Sequence, residues 1–133
     1  WTGTNYKRGF WFYGAAFGGN PGRTCLSLTI ELQRGPAGLG SSAATPAHLY
    51  LHDGVSKGGS PPNIVGGEIL ATSGFLFGET KSIPLPASAG QALLNGTAAG
   101  IAVVQNSTAD HAQFAGITSY AASGRLTMQI QEA

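Results

Sequence analysis

The chain has 133 residues, of which only 10% are charged, and its seven basic and six acidic side chains leave a net charge of +1. This length suits one domain with a single core, and the scattered basic residues form no stripe of the kind that binds nucleic acid or an anionic membrane surface. No apolar stretch approaches the ~20 residues that span a bilayer, and the single cysteine excludes an internal disulfide, so the fold must rest on its core.

Strand patterns follow one another along the chain. The aromatic segment 6–17 favours a strand that places Phe10 and Phe12 on one face and Trp11 and Tyr13 on the other. Residues 24–34 alternate strictly between apolar and polar side chains, which is typical of a half-buried strand. The same reasoning predicts further strands at 47–52, around 68–73, at 80–85, at 101–105, around 112–117 and in the C-terminal segment RLTMQIQ, residues 125–131.

One short segment, near residues 87–95, favours a helix. Ala89, Ala92 and Leu93 share a helical face and Gly96 suits the C-terminal cap, although Gly90 disfavours a helix. About eight strands, joined by Gly-rich loops, predict an all-β fold: an antiparallel β-sandwich of jelly-roll type with one short helix. We expect residues 1–133 to form this single domain, and because the chain begins with Trp1 we expect it to be part of a longer polypeptide.

The sequence offers no recognisable catalytic motif. It lacks the nucleophile elbow and the phosphate-binding glycine loops, and its acidic residues are dispersed, whereas glycoside hydrolysis needs a pair of carboxylates. Cys25 lies in a predicted strand, so we expect a buried and unreactive thiol. We therefore expect no enzymatic activity, which would require two acids, or an acid and a histidine, within hydrogen-bonding reach in a pocket. The acid–histidine pairs to check are Asp53 with His111 and Asp110 with His48.

The histidines do not predict a metal site. His48 and His52 are four residues apart in a predicted strand, which separates their Cα atoms by about 13 Å. Two ligands of one zinc ion need nitrogens about 2 Å from the metal, so this pair cannot share it without a bend in the strand. We expect no cofactor; the alternative is a structural calcium ion held by loop carbonyls around Asp53 or Asp110.

The stretch PAHLYLHDG, residues 46–54, is the strongest candidate for a functional site. If Leu49 and Leu51 face the core, then His48, Tyr50 and His52 form a row on the other face of the strand. Such a row is either an ordinary solvated face or a glycan-binding surface, because aromatic planes stack on sugar rings while imidazole and phenol groups hydrogen-bond hydroxyls. The candidate glycan-binding residues are His48, Tyr50, His52, Trp11 and Tyr13, with burial in the core as the alternative for Trp11.

Five segments, in this order along the chain, carry a family resemblance: YKRGFWFYG, CLSLTIELQR, AHLYLHDG, KSIPLPASAGQALLNGTAAGIAVV and YAASGRLTMQIQ. Together they resemble the C-terminal β-sandwich modules of actinobacteriophage (mycobacteriophage-like) minor tail proteins, and the most specific part is LPASAGQALLNGTAAGIAV, residues 85–103. The resemblance implies a non-enzymatic virion module in the tail, exposed to the extracellular medium. Its implied partners are host cell-surface polysaccharide and other tail proteins, and the family supplies no binding residues.

Three functions therefore stay open at this point. The first is host attachment through an envelope glycan, where weak single-site binding is strengthened by many copies on one particle. The second is a purely structural virion module, in a tail or as a capsid decoration, which an exposed apolar patch around Trp11 and Phe17 or a stable homo-oligomer would favour. The third is a carbohydrate-binding module of a secreted bacterial hydrolase, which the neighbouring domains of the full-length protein would reveal.

Overall fold

The computed structural model describes residues 7–20, 22–38, 40–106 and 112–132. Within these ranges the chain forms seven strands and one helix. In chain order they are β1 (Arg8–Phe12), β2 (Thr24–Gln33), β3 (His48–His52), β4 (Ile64–Ala71), β5 (Thr80–Leu85), α1 (Ala87–Asn95), β6 (Gly100–Val104) and β7 (Leu126–Gln131).

The strands form two antiparallel sheets that enclose one core. The four-stranded sheet has the order β1-β6-β3-β4, and the three-stranded sheet has the order β5-β2-β7. Strands β1, β3, β4 and β6 belong to one sheet and β2, β5 and β7 to the other, so the polypeptide crosses between the sheets repeatedly. The predicted all-β antiparallel sandwich with one short helix is confirmed, with seven strands in the described ranges where about eight were expected.

The eighth predicted strand, around 112–117, accounts for this difference. Its residues make only isolated bridges, from Ala112 to Gly40 and from Phe114 to Arg34. These contacts lie beyond the last residue of β2, so the segment covers the end of the three-stranded sheet without joining its ladder. Strand β4 begins at Ile64, earlier than the predicted strand around 68–73.

The core lies between the inner faces of the two sheets. The alternation predicted for β2 is observed from Leu28 onward: Leu28, Ile30 and Leu32 are buried, and the intervening side chains face outward. At the start of the strand it is wrong, because a bulge between Cys25 and Ser27 shifts the register, so Leu26 is 56% exposed and Cys25 is buried. Leu49 and Leu51 of β3 face the buried side chains of β2 from the other sheet and are also buried. Because successive side chains of a strand point to opposite faces, the burial of these leucines fixes which side of β3 faces outward.

Helix α1 closes the core beside the first residues of β2. It ends at Gly96, whose φ of 75° is the left-handed conformation expected of a C-terminal glycine cap. A Cβ atom at Gly90 would overlap the Sγ atom of Cys25. The glycine that disfavours the helix therefore permits its close packing against β2, and Cys25 is buried there as predicted, which raises the pKa of its thiol.

The side chain of Gln91 extends the hydrogen bonding of β2 where its neighbouring strand stops. Strand β5 pairs with β2 only from Leu28 onward. Before that point, the Gln91 carboxamide accepts a hydrogen bond from the backbone N–H of Cys25 at 2.9 Å and donates one to the carbonyl of Arg23 at 3.0 Å. Backbone groups that would lack a partner are thereby satisfied.

Arg34 is a fully buried cation that joins the loops at the end of the sandwich. Its guanidinium donates hydrogen bonds to the carbonyl oxygens of Ser41, Ala43 and Phe75. It also lies over the ring of Phe77, with 4.3 Å from Cζ to the ring centroid. The donors of a guanidinium suit such a convergence of carbonyls, so one side chain joins two backbone segments, residues 41–43 and the segment that contains Phe75.

Candidate functional site on the outer face of the four-stranded sheet

The candidate site lies on the outer face of the four-stranded sheet, where neighbouring strands present side chains in cross-strand rows. Tyr50 of β3 and Phe10 of β1 are both paired with Ala102 of β6, which lies between them. Ala102 is fully buried although it faces away from the core. The aromatic side chains of this row therefore cover the sheet, and this outer face is partly apolar.

Tyr50 belongs to a hydrogen-bonded network of four polar side chains, hereafter the polar network: His48, Tyr50, Glu68 and Asn106. Nδ1 of His48 lies 2.7 Å from Oε2 of Glu68, and Nδ2 of Asn106 donates to the same oxygen at 3.1 Å. The Tyr50 hydroxyl lies 3.4 Å from Oδ1 of Asn106. The side chains of His48 and Glu68 remain 15% and 31% exposed, so the network is reachable from solvent.

An irregularity in β4 brings Glu68 into this network. His48 pairs with Ala71 and Leu49 with Leu70, but two residues further on Leu51 pairs with Val65. The residues between Val65 and Leu70 therefore stand opposite Tyr50 alone and form a bulge, which begins at Gly66 with a φ of 75°. The bulge carries Glu68 over the sheet face, where its carboxylate reaches His48.

His52 lies on the predicted face of β3 but is fully buried, so it is not part of an exposed binding surface. The rings of Phe10 and Phe12 pack edge-on against its imidazole, with centroid distances of 5.4 and 5.2 Å. The imidazole lies directly over Gly100, where a Cβ atom would come within 2.6 Å of Cε1 of His52. The expectation that all three side chains of the HLYLH row face solvent is therefore wrong at its third position, because the aromatic residues of β1 cover it.

The hydrogen bonds of His52 assign its tautomer. The backbone N–H of Gly54 donates to Nδ1 at 3.1 Å, so the proton is on Nε2, which lies 2.8 Å from the carbonyl oxygen of Trp11 and donates to it. Burial lowers the pKa of His52, and its hydrogen bond to the Trp11 carbonyl opposes that effect only in part. His52 is thus a neutral side chain that links β3 to β1 across β6.

Trp11 and Tyr13 lie on the opposite side of β1 from the polar network. Trp11 is buried in the core, against Gly124. The hydroxyl of Tyr13 donates to the carbonyl oxygen of Gly124, its ring packs edge-on against Phe17, and burial raises the pKa of its phenol. Neither residue joins the polar network. Trp11 is buried in the core and Phe17 packs against it, so they do not form an exposed apolar patch.

A cleft of about 370 Å³ adjoins the polar network at the β1 edge of the sheet. Its described lining includes His48 of the network, Lys7, Arg8 and Phe10 of β1, and residues 112–116. The two permanently charged side chains in this described lining, Lys7 and Arg8, are both cations. The volume is within the range of small-ligand pockets, about 300–1,000 Å³.

The carboxylate of Asp53, where a loop calcium ion was the alternative, is engaged by Asn63. Its two carboxylate oxygens accept hydrogen bonds from the backbone N–H and the side-chain amide of Asn63, both at 2.9 Å, and these bonds lower the pKa of Asp53. No group of three metal-ligating side chains occurs among the described residues. Asp110 and His111, and with them the calcium alternative at Asp110 and both candidate catalytic pairs, lie outside the described residues.

Two members of the network, Glu68 and Asn106, were not predicted from the sequence. Glu68 is 20 residues from His48 and Asn106 is 56 residues from Tyr50. The Gly66–Gly67 pair, just ahead of the strand predicted around 68–73, could have signalled the bulge, since glycine within a strand often marks one. No such signal marks Asn106, which comes after the end of β6.

Comparisons with known proteins add no assignment. No protein-family model, curated protein or solved structure matches this chain. Among the described residues, no helix has the length and apolar character needed to cross a membrane.

Proposed function

We propose that this chain is a non-enzymatic phage tail module, displayed on the virion, that attaches to the host surface by binding a cell-envelope glycan. The observation that carries the proposal is the polar network of His48, Tyr50, Glu68 and Asn106 on the outward face of a sheet, next to a cleft. Sites on strands are held more rigidly than sites on loops, which favours recognition by preformed geometry.

The chemistry of the polar network suits sugar hydroxyls. A carboxylate accepts hydrogen bonds, an amide both donates and accepts, and imidazole and phenol groups can do either, so adjacent hydroxyls of one ring can be engaged together. Tyr50 adds an aromatic surface for the apolar face of a pyranose. Among the described residues of the network and the cleft lining, Glu68 is the only carboxylate, which supports binding over glycoside hydrolysis, where two are used.

The assignment to a phage tail is supported by the order of the sequence segments that resemble minor tail proteins. A tail presents several copies of such a module to one cell surface, and multivalent presentation raises the overall affinity without any new contact. A shallow network next to a cleft is consistent with modest affinity for each copy. Attachment therefore needs no deep ligand pocket.

The test is binding of the purified chain, multimerised on a fluorescent reporter, to intact actinobacterial cells and to their extracted wall polysaccharides. We expect binding that soluble polysaccharide displaces. Absence of binding across several hosts would contradict the proposal and favour a structural virion module. Binding to plant or storage polysaccharides, with none to cells, would instead favour a module of a secreted hydrolase.

Matched substitutions on the two outer faces of the sandwich locate the site. Glu68→Gln removes the charge that His48 and Asn106 face, whereas Glu31→Gln removes a similar carboxylate on the opposite face, where it pairs with Arg125 at 2.8 Å. We expect Glu68→Gln to weaken cell binding several-fold and Glu31→Gln to leave it unchanged, with both variants folded by circular dichroism. Equal effects of the two would show that the polar network is not the binding site.

A further inference from the structure

The two sheets end in four edge strands, and three of them carry features that discourage pairing with another chain. Strand β1 begins with the exposed Arg8, β4 bulges outward after Gly66, and β5 contains Lys81 and the exposed Pro84. Charges, prolines and bulges are the usual means by which an edge is kept from further pairing. The fourth edge, β7, is the uncharged sequence LTMQIQ, with neither proline nor glycine.

The backbone of β7 presents a regular row of hydrogen-bonding groups on its outer side. Glu31 of the central strand donates its backbone N–H to the carbonyl of Arg125 at 3.0 Å, so this carbonyl points toward β2 and the N–H of Leu126, in the same peptide unit, points away from it. Because the direction alternates along an antiparallel strand, the N–H and C=O groups of Leu126, Met128 and Ile130 point away from the sheet. In the described part of the chain, β7 pairs only with β2.

The side chains along this edge are compatible with a second copy of the same strand. On the core side of the sheet, Ile130 is 37% exposed beside the half-buried Met128, and both would be covered by an added strand. The charges that flank the strand, Arg125 and Glu132, are paired within the same copy, with Glu31 and Arg23, at 2.8 Å each. The strand between them is neutral.

We propose that two copies of this chain associate through their β7 strands, antiparallel about a two-fold axis, to form a continuous six-stranded sheet. Side chains directly opposite each other must lie on the same face of the sheet, so the two-fold axis passes through a residue rather than between two residues. The residues at the middle of β7 are Met128 and Gln129. With the axis at Met128, Thr127 lies opposite Gln129 of the second copy. With the axis at Gln129, the two Gln129 residues lie opposite each other. Both registers join neutral, self-complementary side chains, and the interface does not depend on the polar network or the cleft.

The test compares two double variants by sedimentation equilibrium over a range of concentrations. Thr127→Lys with Gln129→Lys places lysines opposite each other in either register, and like charges directly opposite weaken strand pairing. Thr80→Lys with Ser82→Lys adds the same two charges to exposed positions of β5, at the other edge of the same sheet. We expect the wild type and the β5 variant to dimerise with the same affinity. The dimer dissociation constant of the β7 variant should be about tenfold higher.

A second measurement keeps the proposal testable if the β7 variant folds poorly. In the wild type, amide hydrogen exchange at Leu126, Met128 and Ile130 should slow as protein concentration rises, because dimerisation protects the outward N–H groups. A wild type that stays monomeric at all accessible concentrations would overturn the proposal. So would a trimer, a dimer that the β7 lysines leave intact, or exchange at these amides that does not depend on concentration.

Discussion

Substituting Gly90 with alanine tests the packing of α1 on β2, and its sign runs against helix propensity. Alanine in a helix interior is about 1 kcal/mol more favourable than glycine. At this position, however, the added methyl group would overlap the Sγ of Cys25 and come within 3.4 Å of Cε of Met128. Cys25 is buried, and its Sγ lies 3.5 Å from the carbonyl of Ser27, so the sulfur has little room to move.

The expected magnitude follows from these two opposed effects. Overpacking a core by one carbon costs about 1–3 kcal/mol, and the overlap with the sulfur places Gly90→Ala near the upper value. After the helix gain of about 1 kcal/mol, the free energy of unfolding should fall by about 2 kcal/mol. In a Cys25→Ala background the nearest remaining atom is the Cβ of residue 25 at 3.3 Å, so the same substitution should be nearly neutral.

The assay is a double-mutant cycle by urea denaturation, which should give a coupling energy of about 2 kcal/mol between the two positions. Ser88→Ala, at an exposed position of the same helix, is the control and should change stability by no more than about 0.5 kcal/mol. If Gly90→Ala stabilises the wild type, or costs the same with and without the Cys25 sulfur, the proposed overlap is not what requires glycine there.

Three other substitutions test the interior beneath and beside the site. Because burial lowers the pKa of folded His52, stability should be full above its unfolded pKa of about 6.5 and fall as the pH drops below it, by at most about 1.4 kcal/mol per pH unit. His52→Gln should remove that part of the slope in urea titrations, and an unchanged slope would contradict the assignment. Gly100→Ala should cost about 3 kcal/mol or more, since its methyl group would overlap the imidazole of His52 and the Trp11 carbonyl; recovery by His52→Ala would show that the carbonyl contact is unimportant. Arg34→Met should lower the unfolding free energy by about 3 kcal/mol, because it removes three hydrogen bonds from a charged donor, and a neutral effect in thermal melts would refute that role.

The local sequence pattern was sufficient to predict most of the strands and the helix. The strict alternation of β2 and β7 identified both strands and the buried face of β2 from Leu28 onward, and Gly96 marked the end of α1. It was also sufficient to place His48 and Tyr50 on one face of β3, opposite Leu49 and Leu51. These properties depend on the period of a strand or helix and on the conformational freedom of glycine, which act over a few neighbouring residues.

Contacts between distant residues decided which of those side chains face solvent. His52 has the same parity as His48 and Tyr50, but its imidazole is enclosed by β1 and bonded to a carbonyl 41 residues away. Glu68 reaches His48 only because β4 bulges, and residues 112–117 fail to join a ladder although their pattern favours a strand. Periodicity determines which side chains share a face, whereas what covers that face depends on strand order and register, which long-range packing sets.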